Sequence, residues 1–196
     1  MTLIVGLTGG VASGKSHVLH LFQSLGVPAI EADDVGRAVV AVGQPALAEI
    51  AKAFGSHLLL ADGSLDRRAL RSVVFGDATA LQQLEAITHP HIRHHLRDWL
   101  AAQTAPYCLL SAAILLERGL SSLVQRVLVV DAPEADQVRR VMQRDQIDET
   151  LARQMLARQM RRAERLAAAD DVIENPDPLQ DLMPQVQRLH ARYSGG

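Results

Sequence analysis

The chain has 196 residues, of which 48% are apolar and 21% are charged, and its formal net charge at pH 7 is −2. This length suits one compact domain with small inserted lobes. The charge balance argues against a partner such as nucleic acid or an anionic membrane surface, and no apolar stretch reaches the roughly 20 residues that span a bilayer. We therefore expect a cytoplasmic protein with no nucleic-acid or membrane partner.

The first predicted element is a strand over Leu3–Leu7, whose nearly continuous apolar residues are typical of a central parallel strand. It leads into Gly9–Ser16, which fits the phosphate-loop pattern G-x-x-x-x-G-K-[ST], and an amphipathic helix follows. Glycines let the backbone turn its N–H groups toward phosphate oxygens, and the helix N-terminus adds partial positive charge. Strand, loop and helix together indicate a nucleotide site rather than a chance match in a Gly/Ser-rich turn.

Two side chains of this loop have predicted roles. Lys15 can bridge the β- and γ-phosphates, and the Ser16 hydroxyl can bind Mg²⁺. The chain contains only two lysines, Lys15 and Lys52, and one of them stands where the loop needs it. We therefore expect ATP and Mg²⁺ as cofactors, held by Gly10, Val11, Ala12, Ser13, Gly14, Lys15 and Ser16.

A second strand, Val27–Ile30, is followed by acidic residues that include Asp33 and Asp34. Carboxylates at this end of a parallel strand line the ligand crevice, where one can accept a hydroxyl proton or hold a water on Mg²⁺. Capping of a helix over Val35–Val40 explains the same spacing equally well. Asp33–Gly36 also matches the D-x-x-G pattern of GTPases, but neither lysine lies in a guanine-reading Asn-Lys-x-Asp motif. A nucleotide-binding switch without metabolic turnover is therefore kept only as the alternative to an enzyme.

The long interval that follows is helical in pattern, with helices predicted over Ala46–Phe54, Asp66–Phe75 and Ala78–Ala102, and Asp66 as an N-cap. It also contains a histidine cluster of His89, His91, His94 and His95. A metal site there would need distant ligands, because the cluster contains no carboxylate or cysteine. The alternative is an exposed helix start with Pro90 near its first turn.

Three more strands are predicted over Tyr107–Ala112, Val127–Val130 and Val172–Ile173, which completes an α/β fold with a five-stranded parallel sheet. Between the last two strands, Arg139–Arg165 contains eight arginines. Arginine forks stabilise the charge of a transferring phosphoryl group, and a mobile lid can exclude water. Arg140 and Arg144 share one helix face. A solvated helix surface is the alternative for most of the eight, and RNA binding is disfavoured because the segment lacks aromatic residues.

With these motifs in order, the chain resembles the dephospho-coenzyme A kinase family from Leu3 to about Leu189. The segments that carry this resemblance are Thr8–Ser16, Glu31–Asp33, Val39–Leu47, Asp62–Leu70, Leu84–Pro90, Arg140 and Arg144 with Gln159, and Ala169–Asn175. Each segment after the phosphate loop is weak by itself, whereas their order and spacing over nearly the whole chain are specific.

The resemblance implies a P-loop three-layer α/β fold with a core of residues 1–32, 107–138 and 166–196. A helical coenzyme A lobe would span about 33–106, and an arginine-rich lid about 139–165. The implied activity is ATP-dependent phosphorylation of the ribose 3′-hydroxyl of dephospho-CoA by a monomer or weak homo-oligomer. Another small-molecule kinase, such as one acting on a nucleoside monophosphate, is the alternative.

The resemblance also implies roles for individual residues. The catalytic residues would be Asp33 as general base, Lys15 and Arg140. Nucleotide contacts would extend from the loop to His17, Arg144 and Asn175, and substrate contacts would be Thr8, Asp33, Arg67, Arg68 and His89. The chain departs from the family pattern at three places, with Glu31 for Asp, His17 for Thr, and Ala113–Glu117 for Pro-Leu-Leu-Phe-Glu.

Overall fold

The computed structural model describes residues 2–176 and 181–195. Its strands are β1 (Leu3–Gly9), β2 (Ala29–Glu31), β3 (Tyr107–Ser111), β4 (Arg126–Asp131) and β5 (Asp171–Glu174). Its helices are α1 (Lys15–Ser24), α2 (Ala32–Ala38), α3 (Pro45–Phe54), α4 (Arg67–Val74), α5 (Ala78–Ala101), α6 (Glu134–Asp145), α7 (Glu149–Ala157), α8 (Arg162–Ala167) and α9 (Met183–Tyr193). Within the described ranges, no helix is both long and apolar enough to cross a membrane.

The strands form one five-stranded sheet in the order β2-β3-β1-β4-β5, and every neighbouring pair is parallel. The predicted α/β fold with a five-stranded parallel sheet is confirmed, and each predicted strand falls on an observed one. Because the strands are parallel, their carboxyl ends meet at one edge of the sheet. The phosphate loop, which follows β1 at the centre, therefore emerges between the ends of β3 and β4.

The sheet belongs to a compact unit formed by Met1–Glu31 and Ala102–Gly196. One sheet face packs against α1 and α9, in a cluster that includes Leu7, Leu128 and Phe22. The opposite face is also buried, since Cys108, Leu110 and Val129 are almost wholly inaccessible. Burial on both faces explains why the strands of this sheet have nearly continuous apolar sequences rather than alternating ones.

The second compact unit is Ala32–Ala101, in which α2, α3 and α4 each contact α5. The predicted N-cap is confirmed, because the Asp66 carboxylate accepts hydrogen bonds from the N–H groups of Arg68 and Ala69 at the start of α4. The predicted helix over Ala78–Ala102 matches α5, which runs from Ala78 to Ala101 with Pro90 inside it, so the alternative of a helix start near Pro90 is wrong. The proline removes one N–H donor, but the helix continues on both sides of it.

A buried carboxylate holds the amino ends of two strands together. Asp171, the first residue of β5, receives hydrogen bonds from Arg126 of β4, from Arg192 Nη1 at 2.6 Å and from the Tyr193 hydroxyl at 2.7 Å. Burial by itself would raise the pKa of Asp171, but these hydrogen bonds and the two positive charges outweigh it and lower the pKa. The folded state therefore favours the charged carboxylate.

We expect Asp171→Asn to lower the free energy of unfolding at pH 7 by about 2 kcal/mol, because hydrogen bonds to charged groups contribute about 1.5–3 kcal/mol. The folded-state pKa is lowered, so this contribution is complete above the unfolded-state value of about 3.9 and is lost as the pH falls through the folded value. Urea unfolding at pH 7 and pH 3 measures both effects. Asp98→Asn, at an exposed pair with His94, is the control and should cost under about 0.5 kcal/mol. Equal stability of Asp171→Asn and the wild type at pH 7 would contradict the prediction.

Candidate active site

The phosphate loop has tight steric requirements at two glycines. A Cβ atom on Gly9 would lie 2.7 Å from the Val130 carbonyl oxygen and 2.5 Å from Ser13 Oγ. Gly14 has φ +97°, and a Cβ there would lie 2.3 Å from Asn175 Nδ2. Only glycine fits these positions without a shift of neighbouring atoms, which explains the glycines of the motif in steric terms.

Three consecutive loop residues have a backbone group bound by a side chain from elsewhere in the same unit. Gln159 Oε1 accepts the Val11 N–H at 2.8 Å, and Arg140 Nη1 donates to the Ala12 carbonyl at 3.3 Å. Asn175 Nδ2 donates to the Ser13 carbonyl at 2.7 Å. We call Gln159, Arg140 and Asn175 the loop clamp. Their contacts bring the arginine-rich segment and the end of β5 onto the loop.

Lys15 lies at the carboxyl ends of β2 and β3. Its Nζ donates to Ser111 Oγ at 2.8 Å and lies 3.6 Å from Glu31 Oε2. Glu31 and Ser111 are register partners at the ends of β2 and β3, so the sheet itself fixes both groups around the ammonium. No sequence motif singles out Ser111. Its position as the last residue of a strand at the ligand edge could have identified it.

The remaining loop neighbours differ in accessibility. Ser16 and His17 are exposed in the first turn of α1. Thr8 is buried, and its hydroxyl donates to the Ala113 carbonyl at 3.4 Å, at the position where the family pattern has proline. This contact ties the end of β1 to the segment after β3, while Ser16 keeps an accessible hydroxyl.

The second unit contains the other predicted site residues. Asp33 is exposed in the first turn of α2, which starts at Ala32 rather than at Val35, so neither Asp33 nor Asp34 precedes this helix as an N-cap. Arg67 and Arg68 are exposed in the first turn of α4, and His89 is half-buried in α5. Within residues 2–176 and 181–195, no group of three or more His, Cys, Asp or Glu side chains could hold a metal, so the structure does not support a histidine metal site.

The two arginines singled out on α6 have different environments. Arg140 also donates to the Asn175 carbonyl at 2.9 Å, and burial lowers its pKa. Arg144 is exposed and pairs with its neighbour Asp145 at 2.8 Å, and this hydrogen bond raises its pKa. Although they share a helix face, only Arg140 contacts the loop and β5. Arg144 has the environment of a solvated surface residue.

Further arginines line a cavity of about 450 Å³ between α6, α7 and α8. Arg162 binds the Asp131 carboxylate at the end of β4, with Nη2 at 2.6 Å from Oδ2. Arg165 donates to the Met160 carbonyl at 2.9 Å, and burial lowers its pKa. Its Nη1 would lie 2.5 Å from a Cβ on Gly10, so this guanidinium is beside the loop. Sequence spacing alone had not separated Arg162 and Arg165 from the surface arginines.

Comparison with known proteins gives a consistent result. The sequence model of the dephospho-CoA kinase family matches residues 3–181. A dephospho-CoA kinase of Aggregatibacter actinomycetemcomitans is 50% identical over 197 residues, which cover 98% of this chain and 95% of that protein. One from Hahella chejuensis is 46% identical over 192 residues, which cover 98% and 92%.

Solved structures agree with the sequence relatives. Dephospho-CoA kinase from Campylobacter jejuni has a TM-score of 0.76 at 26% identity, covering 100% of this chain and 99% of that one. Shikimate kinase from Bacteroides thetaiotaomicron has a TM-score of 0.53 at 15% identity, covering 98% of each chain, and that likeness extends to the fold alone. From the family match and the full-length relatives, the chain belongs to the dephospho-CoA kinase family.

Proposed function

We propose that the chain transfers the γ-phosphoryl group of ATP to the ribose 3′-hydroxyl of dephospho-CoA, giving coenzyme A and ADP in the last step of coenzyme A biosynthesis. The family membership supports the reaction. The observation that supports the location of its site is Lys15, which lies at the strand ends between Ser111 and Glu31 at the start of the phosphate-loop helix. An ammonium there meets the phosphates at the edge of the sheet where ligands of such folds bind.

The nucleotide is held by the backbone N–H groups of the loop and by Lys15. The N–H groups at the start of α1 have no carbonyl partner one turn earlier in their own helix, so they are available to phosphate oxygens. Phosphoryl transfer demands little covalent chemistry from the protein, and rate enhancement comes mainly from positioning and charge stabilisation. Arg165 lies beside the loop and donates its hydrogen bond to a neutral carbonyl, so its charge is suited to stabilising the transferring phosphoryl group. A direct catalytic role of Arg140 remains a prediction.

Asp33 is the proposed general base. It accepts the proton of the 3′-hydroxyl while the bond from that oxygen to the γ-phosphorus forms and the bond to the β,γ-bridging oxygen breaks, releasing ADP. Asp33 is exposed and follows the last residue of β2 by two positions in the sequence, which supports the proposal of an accessible carboxylate as the base. In the same proposal, Arg67, Arg68 and His89 bind the acceptor.

Mg²⁺ is the proposed metal. Protein-bound Mg²⁺ keeps several waters and takes few protein ligands beside phosphate oxygens, so an accessible hydroxyl at the loop is a fitting donor. Ser16, exposed in the first turn of α1, would hold it. Bound there, the ion would neutralise charge on the phosphate oxygens.

An acceptor assay tests the proposed reaction. ADP release is followed with dephospho-CoA, with nucleoside monophosphates and with shikimate, each at the same concentration and with ATP and Mg²⁺. Among these acceptors, we expect turnover only with dephospho-CoA. Phosphorus NMR of its product should show a new 3′-phosphate monoester. Preferred turnover of a nucleoside monophosphate would favour the alternative small-molecule kinase. GTP binding without acceptor-dependent turnover would favour a switch.

The two lysines of the chain provide a matched test of the loop. Lys15→Met should lower kcat/KM for ATP by at least about 100-fold, because a positioned cation in a phosphoryl-transfer site contributes on that scale. Lys52→Met changes the only other lysine, which is exposed on α3, and should leave kcat/KM within about twofold. If both variants retain wild-type kcat/KM, the site assigned to Lys15 is wrong.

Two adjacent carboxylates provide a similar pair for the base. Asp33→Asn should lower kcat by about 100-fold or more, since general base catalysis contributes about 10²–10⁴-fold. Asp34→Asn removes a carboxylate that pairs with Arg37 in the same helix turn, and kcat should stay near that of the wild type. Both substitutions remove one negative charge, so a general electrostatic effect would lower both rates. A kcat of Asp33→Asn within threefold of the wild type would exclude the assignment.

A further inference from the structure

The outward bonds of the phosphate loop determine which way its inner N–H groups point. A trans peptide unit is planar, with its C=O and N–H groups on opposite sides. The Ser13 carbonyl is turned outward to Asn175 Nδ2 at 2.7 Å, so the Gly14 N–H of the same peptide unit points the other way. The Gly14 N–H therefore points away from the Asn175 side chain. Asn175 thus fixes the orientation of a donor that it does not contact.

The orientation of the Ser13–Gly14 peptide unit needs a restraint from outside the loop, because Gly14 allows this unit to rotate. Gly14 has φ +97° and lacks a Cβ, so the peptide unit before it can rotate with little steric penalty. Ala12, two residues earlier, has φ +55°, a left-handed conformation that is strained for a residue with a Cβ. Because the peptide unit before Gly14 rotates easily and Ala12 is strained, contacts from outside the loop are needed to keep one peptide orientation.

Asn175 is itself held rigidly. It is only 2% exposed, its N–H donates to the Asp131 carbonyl at 2.8 Å, and its carbonyl accepts from Arg140 Nη2 at 2.9 Å. The Asp131 carboxylate in turn binds Arg162. The side chain that restrains the loop is therefore fixed to the ends of β4 and β5 and to α6.

The other members of the loop clamp act on the two preceding residues. Arg140 holds the Ala12 carbonyl outward, and Gln159 holds the Val11 N–H outward. The Gly10 carbonyl accepts a hydrogen bond from the Ser13 N–H at 3.0 Å. Both groups therefore point away from Arg140 and Gln159, as planar peptide units require when the Ala12 carbonyl and the Val11 N–H bind those side chains. Three side chains from three separate segments thus specify the orientations of three of the four peptide units between Gly10 and Gly14.

We propose that Asn175, with Arg140 and Gln159, is a positioning residue for polyphosphate binding, which turns the Gly14 N–H toward the phosphates by holding the Ser13 carbonyl on the opposite side. The inference rests on the proposed function only in that the loop binds the phosphates of ATP. It differs from a contact with adenine, because the Asn175 amide is buried against the loop backbone. The clamp acts on any ligand that carries a triphosphate, whether or not it carries a base.

The test compares ATP with inorganic tripolyphosphate, which has the phosphates but no adenosine. Dissociation constants are measured by titration calorimetry on the full chain with Mg²⁺ and without acceptor. Asn175→Leu removes the amide donor in a side chain of similar shape, and we expect the dissociation constants of both ligands to rise by the same factor, about tenfold or more. Arg140→Met should raise both dissociation constants. Arg140→Lys supplies an ammonium that can donate a hydrogen bond to the loop, and should raise them less.

Two matched variants control for general effects. Gln185→Leu removes an amide side chain that makes two hydrogen bonds to the backbone of Glu174, the residue before Asn175, but that touches no loop group. Arg139→Met removes the arginine next to Arg140, which pairs with Asp136. Both variants should bind ATP and tripolyphosphate with dissociation constants within about twofold of the wild-type values. If Asn175→Leu does not fold, as judged by its melting transition, Asn175→Ala replaces it.

Two outcomes would overturn the proposal. Weaker binding of ATP with unchanged binding of tripolyphosphate would mean that Asn175 acts on the adenosine part. A lowered melting temperature with unchanged binding of both ligands would mean that Asn175 is only structural. Because no acceptor is present, either result is separate from a failure of the chain to phosphorylate dephospho-CoA.

Discussion

The planarity of the peptide unit constrains the site most strongly. A loop that offers N–H groups to a polyphosphate must turn the carbonyls of the same peptide units outward, and each outward carbonyl in a buried setting needs a donor. In this chain the donors come from Arg140 and Asn175, and a nearby N–H is accepted by Gln159. The sequence Gly9–Ser16 therefore specifies a loop that can bind phosphate, while residues about 130–160 positions away specify the conformation it adopts.

The same contacts connect the loop to the arginine-rich segment. Val11 and Ala12 pack against an apolar cluster whose buried members are Val138, Val141 and Ala152 of α6 and α7. Apolar packing and the clamp hydrogen bonds thus act on the same two loop residues, Val11 and Ala12. The backbone of the loop is therefore coupled to α6 and α7 by direct contacts.

The fold was largely predictable because its determinants are local. Apolar runs identified all five strands, and the Asp66 cap and the phosphate loop follow from short-range spacing. The clamp was not predictable in the same way. Arg140 and Arg144 lie four residues apart on the same face of α6, so the sequence does not distinguish them, and only the packing of α6 brings Arg140 to the loop. The hydrogen bonds of Asp171 also depend on tertiary contacts, because they join β5 to β4 and to α9. Sequence patterns could name residues that contact the phosphate loop, but not which backbone groups of the loop their side chains would bind.

The environment of Lys15 is compatible with its proposed role despite a departure from the family pattern. The ammonium makes its short contact, 2.8 Å, with the neutral hydroxyl of Ser111, whereas the Glu31 carboxylate lies at 3.6 Å, beyond hydrogen-bond length. A tight ion pair would compete with phosphate for the same charge, while a hydroxyl positions the ammonium and leaves that charge available. Glu31 is one methylene longer than the aspartate of the pattern and is partly exposed, so water also screens it. The longer side chain at the end of β2 is therefore compatible with a lysine that is held in place and still attracts phosphate.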